Sequence, residues 1–299
     1  MKKTSLRFRI ADAFYIAMMI IPFVVGIVLK VLTKPASEGI NITGAQIYFT
    51  IPMPLQDFIV TESQINSLLV TVVILFFCLF MTHGLTEKCE LKRQHFAELI
   101  VEKIDGMVNE NMGEYFMAFS PFIIGMMALS GVSSLITLFG LYPPTSDINI
   151  VGGWAVLVFI LITYYKMKCG PINYLKSFTQ PVALLTPINL IGEIATPVSM
   201  AFRHYGNVLS GSVIGVLIAT ALGSLSAKLL SWAPGFLADI PLLQVGIPAV
   251  MSLYFDIFSG LLQAFIFAML TMMYVAGAFD YDTFRKRQSK KVKKHASAN

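Results

Sequence analysis

One residue in a long, nearly uncharged stretch sets the chemical question. From Ile194 to Ala227 the only permanent charge is Arg203, within SMAFRHYGNVLSG at 199–211. Placing a guanidinium in lipid costs about 2.5–3.5 kcal/mol on insertion scales. Arg cannot escape by losing its proton, so an acid must answer it. Between Ile240 and Phe279 the only charge is Asp256, and Glu193 stands ten residues before the Arg. Ser199, Arg203 and Asn207 follow one another at i,i+4, which puts them on one face of a helix. Gly206, Ser210 and Gly211 lie on or near that face and leave room for a second helix. Asp256 and Gln263, seven apart, are expected on one face of the following helix. At 1.5 Å per residue, Glu193 falls about 15 Å to one side of Arg203 and Ser212 roughly 13 Å to the other. Carboxylates in a membrane can relay protons, whereas an Arg between them, which keeps its proton, interrupts the relay. This spacing describes two half-paths separated by a fixed positive charge. A simpler arrangement is also open, in which Arg203 pairs with Asp256 and locks two helices together.

The other polar residues have structural readings. His204 points away from the Ser199–Asn207 side and is expected at an interface. Asn207 and Gln263 also suit ordinary interhelical hydrogen bonds. Glu193 could be merely solvated. Asp147, in PPTSDIN, reads as a helix N-cap.

These groups need apolar helices to carry them. Of 299 residues, 56% are hydrophobic and 13% charged, about half the charge of a soluble domain. Apolar runs near 20 residues long indicate an all-α polytopic membrane protein, and the alternation of a β-barrel is missing. Six spans are expected: about 10–32, 65–81, 119–141, 148–165, a long stretch at 184–232, and 242–279. The fifth is too long for one perpendicular crossing and predicts a strongly tilted or bent helix, so the last two spans form a long hairpin. Residues 95–113 place Phe96, Leu99, Ile100, Ile104, Met107 and Val108 at helical spacing among charges. They read as an amphipathic helix on the membrane surface, or one packed on another subunit. The loop at 34–62 reads as irregular. The whole chain is taken as a single membrane domain, with 184–279 as its ion-translocating hairpin.

Basic clusters precede the first span and follow the second, fourth and last. With six spans all of these fall on the cytoplasmic side, with both termini. MKKTSLRFR before an apolar run resembles a signal peptide, but without a small-residue cleavage site the first helix reads as retained. The net charge of +5 comes from these topology signals, not from a nucleic-acid surface. The three cysteines, Cys78, Cys89 and Cys169, are scattered and suggest no disulfide framework. No nucleotide-binding motif occurs, and the four histidines have no metal-ligand spacing, so no cofactor or metal is called for.

Four segments in order resemble subunit a of the bacterial rotary F-type ATP synthase: PTSDIN, LTPINLIGE, PVSMAFRHYGNVLSG and GLLQAFIFAMLTMMYV. The resemblance spans about Ile51 to Phe279. It implies a membrane stator whose tilted hairpin faces a ring of c subunits, in a complex with the b-subunit peripheral stalk and other synthase subunits, in the bacterial plasma membrane. It also implies two offset half-channels coupling H+ or Na+ movement to rotation, with no covalent chemistry by this chain alone. The family's essential Arg falls on Arg203, and its Asn and Gln fall on Asn207 and Gln263. Ser199 holds the Ser before the Arg. The sequence departs from the family in three places: His204-Tyr205 stands for Leu-Phe, Ser212 for a Glu found in many relatives, and Asp256 for a His. Asp256 is therefore expected to replace the missing outer acid. The first span is an extra N-terminal helix. The competing class is a stand-alone secondary transporter that uses Arg203 for an anionic substrate; a polytopic membrane enzyme lacks a recognisable catalytic set.

Overall fold

The computed structural model describes residues 6–33, 44–54, 56–86, 91–179, 182–229 and 242–281, with 283–285, 287 and 289 beyond them. Among these, six helices are long and apolar enough to cross a membrane. The chain is an all-α polytopic membrane protein.

Helix α1 covers Leu6–Thr33. The expected irregular loop after it contains a small antiparallel hairpin, β1 (Ile47–Ile51) with β2 (Phe58–Thr61). IYFTI and FIVT are rich in β-branched and aromatic residues, which suit a pleated surface better than a free loop. Helix α2 (Glu62–Thr82) starts directly from β2, where the Gln64 side chain accepts from the Thr61 N–H at 3.4 Å. Helix α3 is Lys92–Met112. Its second half packs into the core through Val108 and Met112, while Phe96 and Leu99 stay exposed.

A third span runs over Glu114–Phe139, with α4 (Ser120–Leu135) at its centre. It ends at Gly140, whose φ of 71° closes the helix in the left-handed conformation. After the Pro-rich turn, Asp147 caps α5 (Ile148–Cys169) by accepting from the Asn149 N–H at 2.9 Å. The N-cap expected at Asp147 is therefore present. A short helix, α6 (Pro171–Phe178), follows α5 directly. Pro171 opens it with a preset φ, at the position where a missing N–H costs nothing.

Helix α7 (Thr186–Leu229) is continuous for 44 residues and runs through Pro197. Its length of about 66 Å is roughly twice a bilayer core, so it can lie in a membrane only tilted or curved. The segment 230–241, which holds the expected turn between the last two spans, lies outside the described residues, as do Cys89 and most of the basic tail. The last span is interrupted: α8 (Leu242–Ser252) passes into a π-helical stretch, Leu253–Ser259, and then into α9 (Gly260–Gly277).

Helix α4 packs chiefly on α9, α5 on α7, and α1 on α2. The largest apolar cluster joins α3, α4, α5, α7 and α9 through residues such as Ile123, Val158, Met200, Phe267 and Met272. At Gly260 the helices approach so closely that a Cβ would lie 2.5 Å from the Ser134 side chain. Helix α1 stands outside this core with most of its Ile and Val side chains exposed, as lipid-facing residues are. It is held at both ends. Asp12 binds Arg93 Nη1 at 2.7 Å and His83 Nδ1 at 3.1 Å, and Lys30 Nζ lies 3.4 Å from Glu62 Oε1.

Candidate functional site

On α7 the i,i+4 expectation holds: Ser199, Arg203 and Asn207 are all exposed, along with Ser210. The next residue points to a different side of the helix. His204 is fully buried between Trp154 and Phe267, whose rings stand edge-on at 6.0 and 5.6 Å. Its Nε2 lies 3.3 Å from Ser130 Oγ, and its Nδ1 has no partner among the described residues. A 100° step per residue thus separates a charge on the outer face from a side chain in the core.

Arg203 has neither a hydrogen bond nor an ion pair among the described residues. The Arg203–Asp256 lock is therefore not made. Asp256 sits half-buried in the π-helical stretch. Residues there advance through a wider turn than α-helical ones, so the seven-residue spacing to Gln263 does not keep the two on one face. Gln263 is instead 2% exposed, inside the core. It reaches α7 by accepting from Asn207 Nδ2 at 2.8 Å, which joins the two residues of the Arg-bearing face and the last helix directly.

The small residues do the expected work at one position. A Cβ on Gly211 would sit 3.2 Å from the Phe255 side chain, so Gly211 lets the π-helical stretch close on α7. Gly206 has open space, and Ser210 is exposed. Ser212 is exposed, with its hydroxyl turned back to the Leu209 carbonyl at 2.8 Å.

Glu193 is not simply solvated. Both its oxygens accept from Lys166 Nζ, at 2.7 and 2.6 Å. The pair lines a cavity of about 650 Å³ bounded by α5, α6, α7 and α9, with Asn189 and Thr196 also on its wall. Asn189 ties α6 to α7 by donating to the Phe178 carbonyl at 2.9 Å. Tyr174, on α6, borders the pair. Burial pushes its hydroxyl up, and the Glu193 charge pushes it the same way. In the sequence Lys166 reads only as a topology signal, because a separation of 27 positions from Glu193 carries no periodic relation. The cavity opens onto a stretch of α7 about one to three turns before Ser199, and Ser199 itself is not on its wall. No cluster of metal-ligand type occurs among the described residues.

Comparison with known proteins agrees with the resemblance read from the motifs. The family described as ATP synthase A chain matches residues 65–276. ATP synthase subunit a 3 of Pelobacter propionicus is 34% identical over 194 residues, covering 62% of this chain and 74% of the relative. ATP synthase subunit a 1 of Crocosphaera subtropica is 31% identical over 217 residues, 72% of this chain and 85% of the relative. ATP synthase subunit a of Desulforamulus reducens is 32% identical over 218 residues, covering 72% and 78%. Helix α1, the hairpin and Glu62 all precede the family match.

Proposed function

The chain belongs to the ATP synthase A chain family, as a multi-pass membrane subunit of the Fo sector, and from that premise we propose how its residues serve ion-driven ATP synthesis. The chain acts as the stator against the c-subunit ring, held by the b-subunit peripheral stalk, with both termini in the cytoplasm. Ions reach the ring from outside along a half-path that includes Asp256, Ser212 and Asn207. They leave toward the cytoplasm past Ser199 and Glu193. Arg203 stands between the half-paths and favours the ionised form of each c-subunit carboxylate that passes it. Because Arg cannot release its proton, it also blocks a direct leak.

One observation carries this reading: an exposed Arg on a membrane helix with no counter-charge among the described residues. Lipid contact would leave that charge uncompensated, which favours an acid brought by a neighbouring chain. The inner cavity at Lys166 and Glu193 lies on the cytoplasmic side of Arg203 in the six-span topology and supports an aqueous exit. Asn207 and Gln263 hold the two helices of the hairpin in fixed relation behind Arg203. Family membership favours this reading over a stand-alone transporter. Each charge moved supplies about 2.3 kcal/mol per 100 mV. In the assembled complex, Arg203→Ala is expected to abolish ion-driven ATP synthesis without preventing assembly. Normal ion-driven synthesis by that variant would refute the proposal.

A further inference from the structure

At the end of α1 and α2 opposite the Lys166 cavity, the structure collects polar groups that the half-paths above do not use. Glu62 is 2% exposed at the first turn of α2. Its Oε1 accepts from the Tyr142 N–H at 3.3 Å and faces Lys30 Nζ at 3.4 Å. Lys30 also donates to the Gly140 carbonyl at 2.5 Å, so the extra helix reaches the turn between α4 and α5. Ser63 donates to Asp147 in the same turn. Asn66, 1% exposed, donates to the Tyr142 carbonyl at 2.8 Å, yet its Oδ1 has no partner among the described residues. The hydroxyls of Thr145 (0% exposed) and Ser146 (4%) are likewise unpartnered among the described residues.

Three unpaired polar atoms this deeply buried, beside two carboxylates, are costly in a dry site. They suit one that water enters, since buried water makes two to four bonds to otherwise unsatisfied groups. The cluster also leads toward the Arg-bearing helix. Residues 144–146 pack on α2, α4, α5 and α7. Burial pushes the Tyr142 hydroxyl up, and Asp147, Tyr205 of α7 and Glu62 push it further in the same direction. Tyr205 is two residues from Arg203.

We infer that this cluster is a hydrated antechamber of the outer half-path, in which Glu62 takes up the coupling cation and Lys30 of the extra N-terminal helix balances its charge. The inference rests on the stator reading above. Among the described residues, the charged and titratable groups facing Glu62 are Lys30 from α1, Tyr48 from β1, and Tyr142 and Asp147 from the turn. It gives α1 a task in ion uptake, beyond bracing α2. It also supplies an outer acid in a chain that has Ser212 where many relatives carry Glu.

The test uses the complete complex reconstituted in vesicles, with ATP synthesis measured while the cation on the outer side is varied. One arm varies pH at fixed Na+ and the other varies Na+ at fixed pH, so the two cations are told apart. Glu62→Gln is expected to shift the half-saturating concentration of one of them several-fold upward, and Glu62→Asp to restore most of it. Thr145→Val replaces an unpartnered hydroxyl by a methyl of the same shape. In a dry site that change is neutral or stabilising. In a hydrated path it keeps assembly but slows synthesis several-fold. An assembled Glu62→Gln complex with unchanged half-saturation for both cations overturns the inference. If Glu62→Gln does not assemble, an unchanged rate in Thr145→Val overturns it. Persisting synthesis in Arg203→Ala would instead overturn the underlying stator reading, whatever Glu62 does.

Discussion

Replacing His204 by Leu, the residue type the family pattern has there, tests whether the imidazole beside Arg203 belongs to the ion path or to the core. The wild-type side chain buries an unpartnered Nδ1, and relieving such a group is worth about 1–3 kcal/mol. Against this, the contact to Ser130 at 3.3 Å is lost, at about 0.5–1.5 kcal/mol. The edge-on contacts with Trp154 and Phe267 are lost as well, each worth about 0.5–1.5 kcal/mol. Leu nearly fills the imidazole volume, so these effects offset within about 2 kcal/mol. Ser130, left alone, can turn to its own helix as Ser134 does when it donates to the Ser130 carbonyl at 3.2 Å. His204→Ala differs, because it leaves a cavity in a fully closed site and is expected to cost about 2–5 kcal/mol. The assay pairs thermal inactivation of the assembled complex with ion-driven ATP synthesis in vesicles. The expected result is near-wild-type behaviour for Leu and lower stability for Ala, with synthesis per assembled complex kept in both. If His204→Leu assembles normally but no longer synthesises ATP, the imidazole carries ions and the core assignment is wrong.

Lys166→Gln removes the counter-charge of a Glu193 that is 13% exposed. The cost should lie between that of an exposed and a buried pair, about 1–3 kcal/mol, with slower ATP-driven pumping and rescue by Arg. Wild-type stability and pumping in the Gln variant would remove the pair from the exit path. Gly260→Ala should reduce the yield of assembled subunit, because the new methyl meets Ser134 at 2.5 Å, and Ser134→Gly should restore it. Equal yields with and without the second change would show that α4 and α9 can move apart. Asp256→Asn should slow transport without preventing assembly, and an unchanged pH dependence of the rate would exclude Asp256 from the outer path.

Much of this protein is written locally. Six spans are legible because lipid offers no partner for backbone groups, so each crossing needs an uninterrupted apolar helix of known length. The alignment of Ser199, Arg203 and Asn207 is legible because helical periodicity alone puts them on one face. The different side taken by His204 follows from the same geometry. The N-cap at Asp147 is a short-range property of the turn and is also readable.

What escaped the sequence depends on groups distant along the chain. Lys166 meets Glu193 and Lys30 meets Glu62 because α5 packs on α7 and α1 on α2, and no spacing rule encodes either meeting. The π-helical stretch at Asp256 turns that acid out of the register with Gln263 that an ideal α-helix imposes. Strand pairing at 47–61 needed a partner segment to satisfy its backbone, which composition read as a loop does not reveal. The sequence by itself determined where the charges lie along each helix, since that follows from a fixed rise and turn per residue. Only the tertiary structure decided which of them are answered among the described residues, because a counter-charge acts through space at a few ångströms; Arg203 is left exposed while Glu62 and Glu193 each find a lysine.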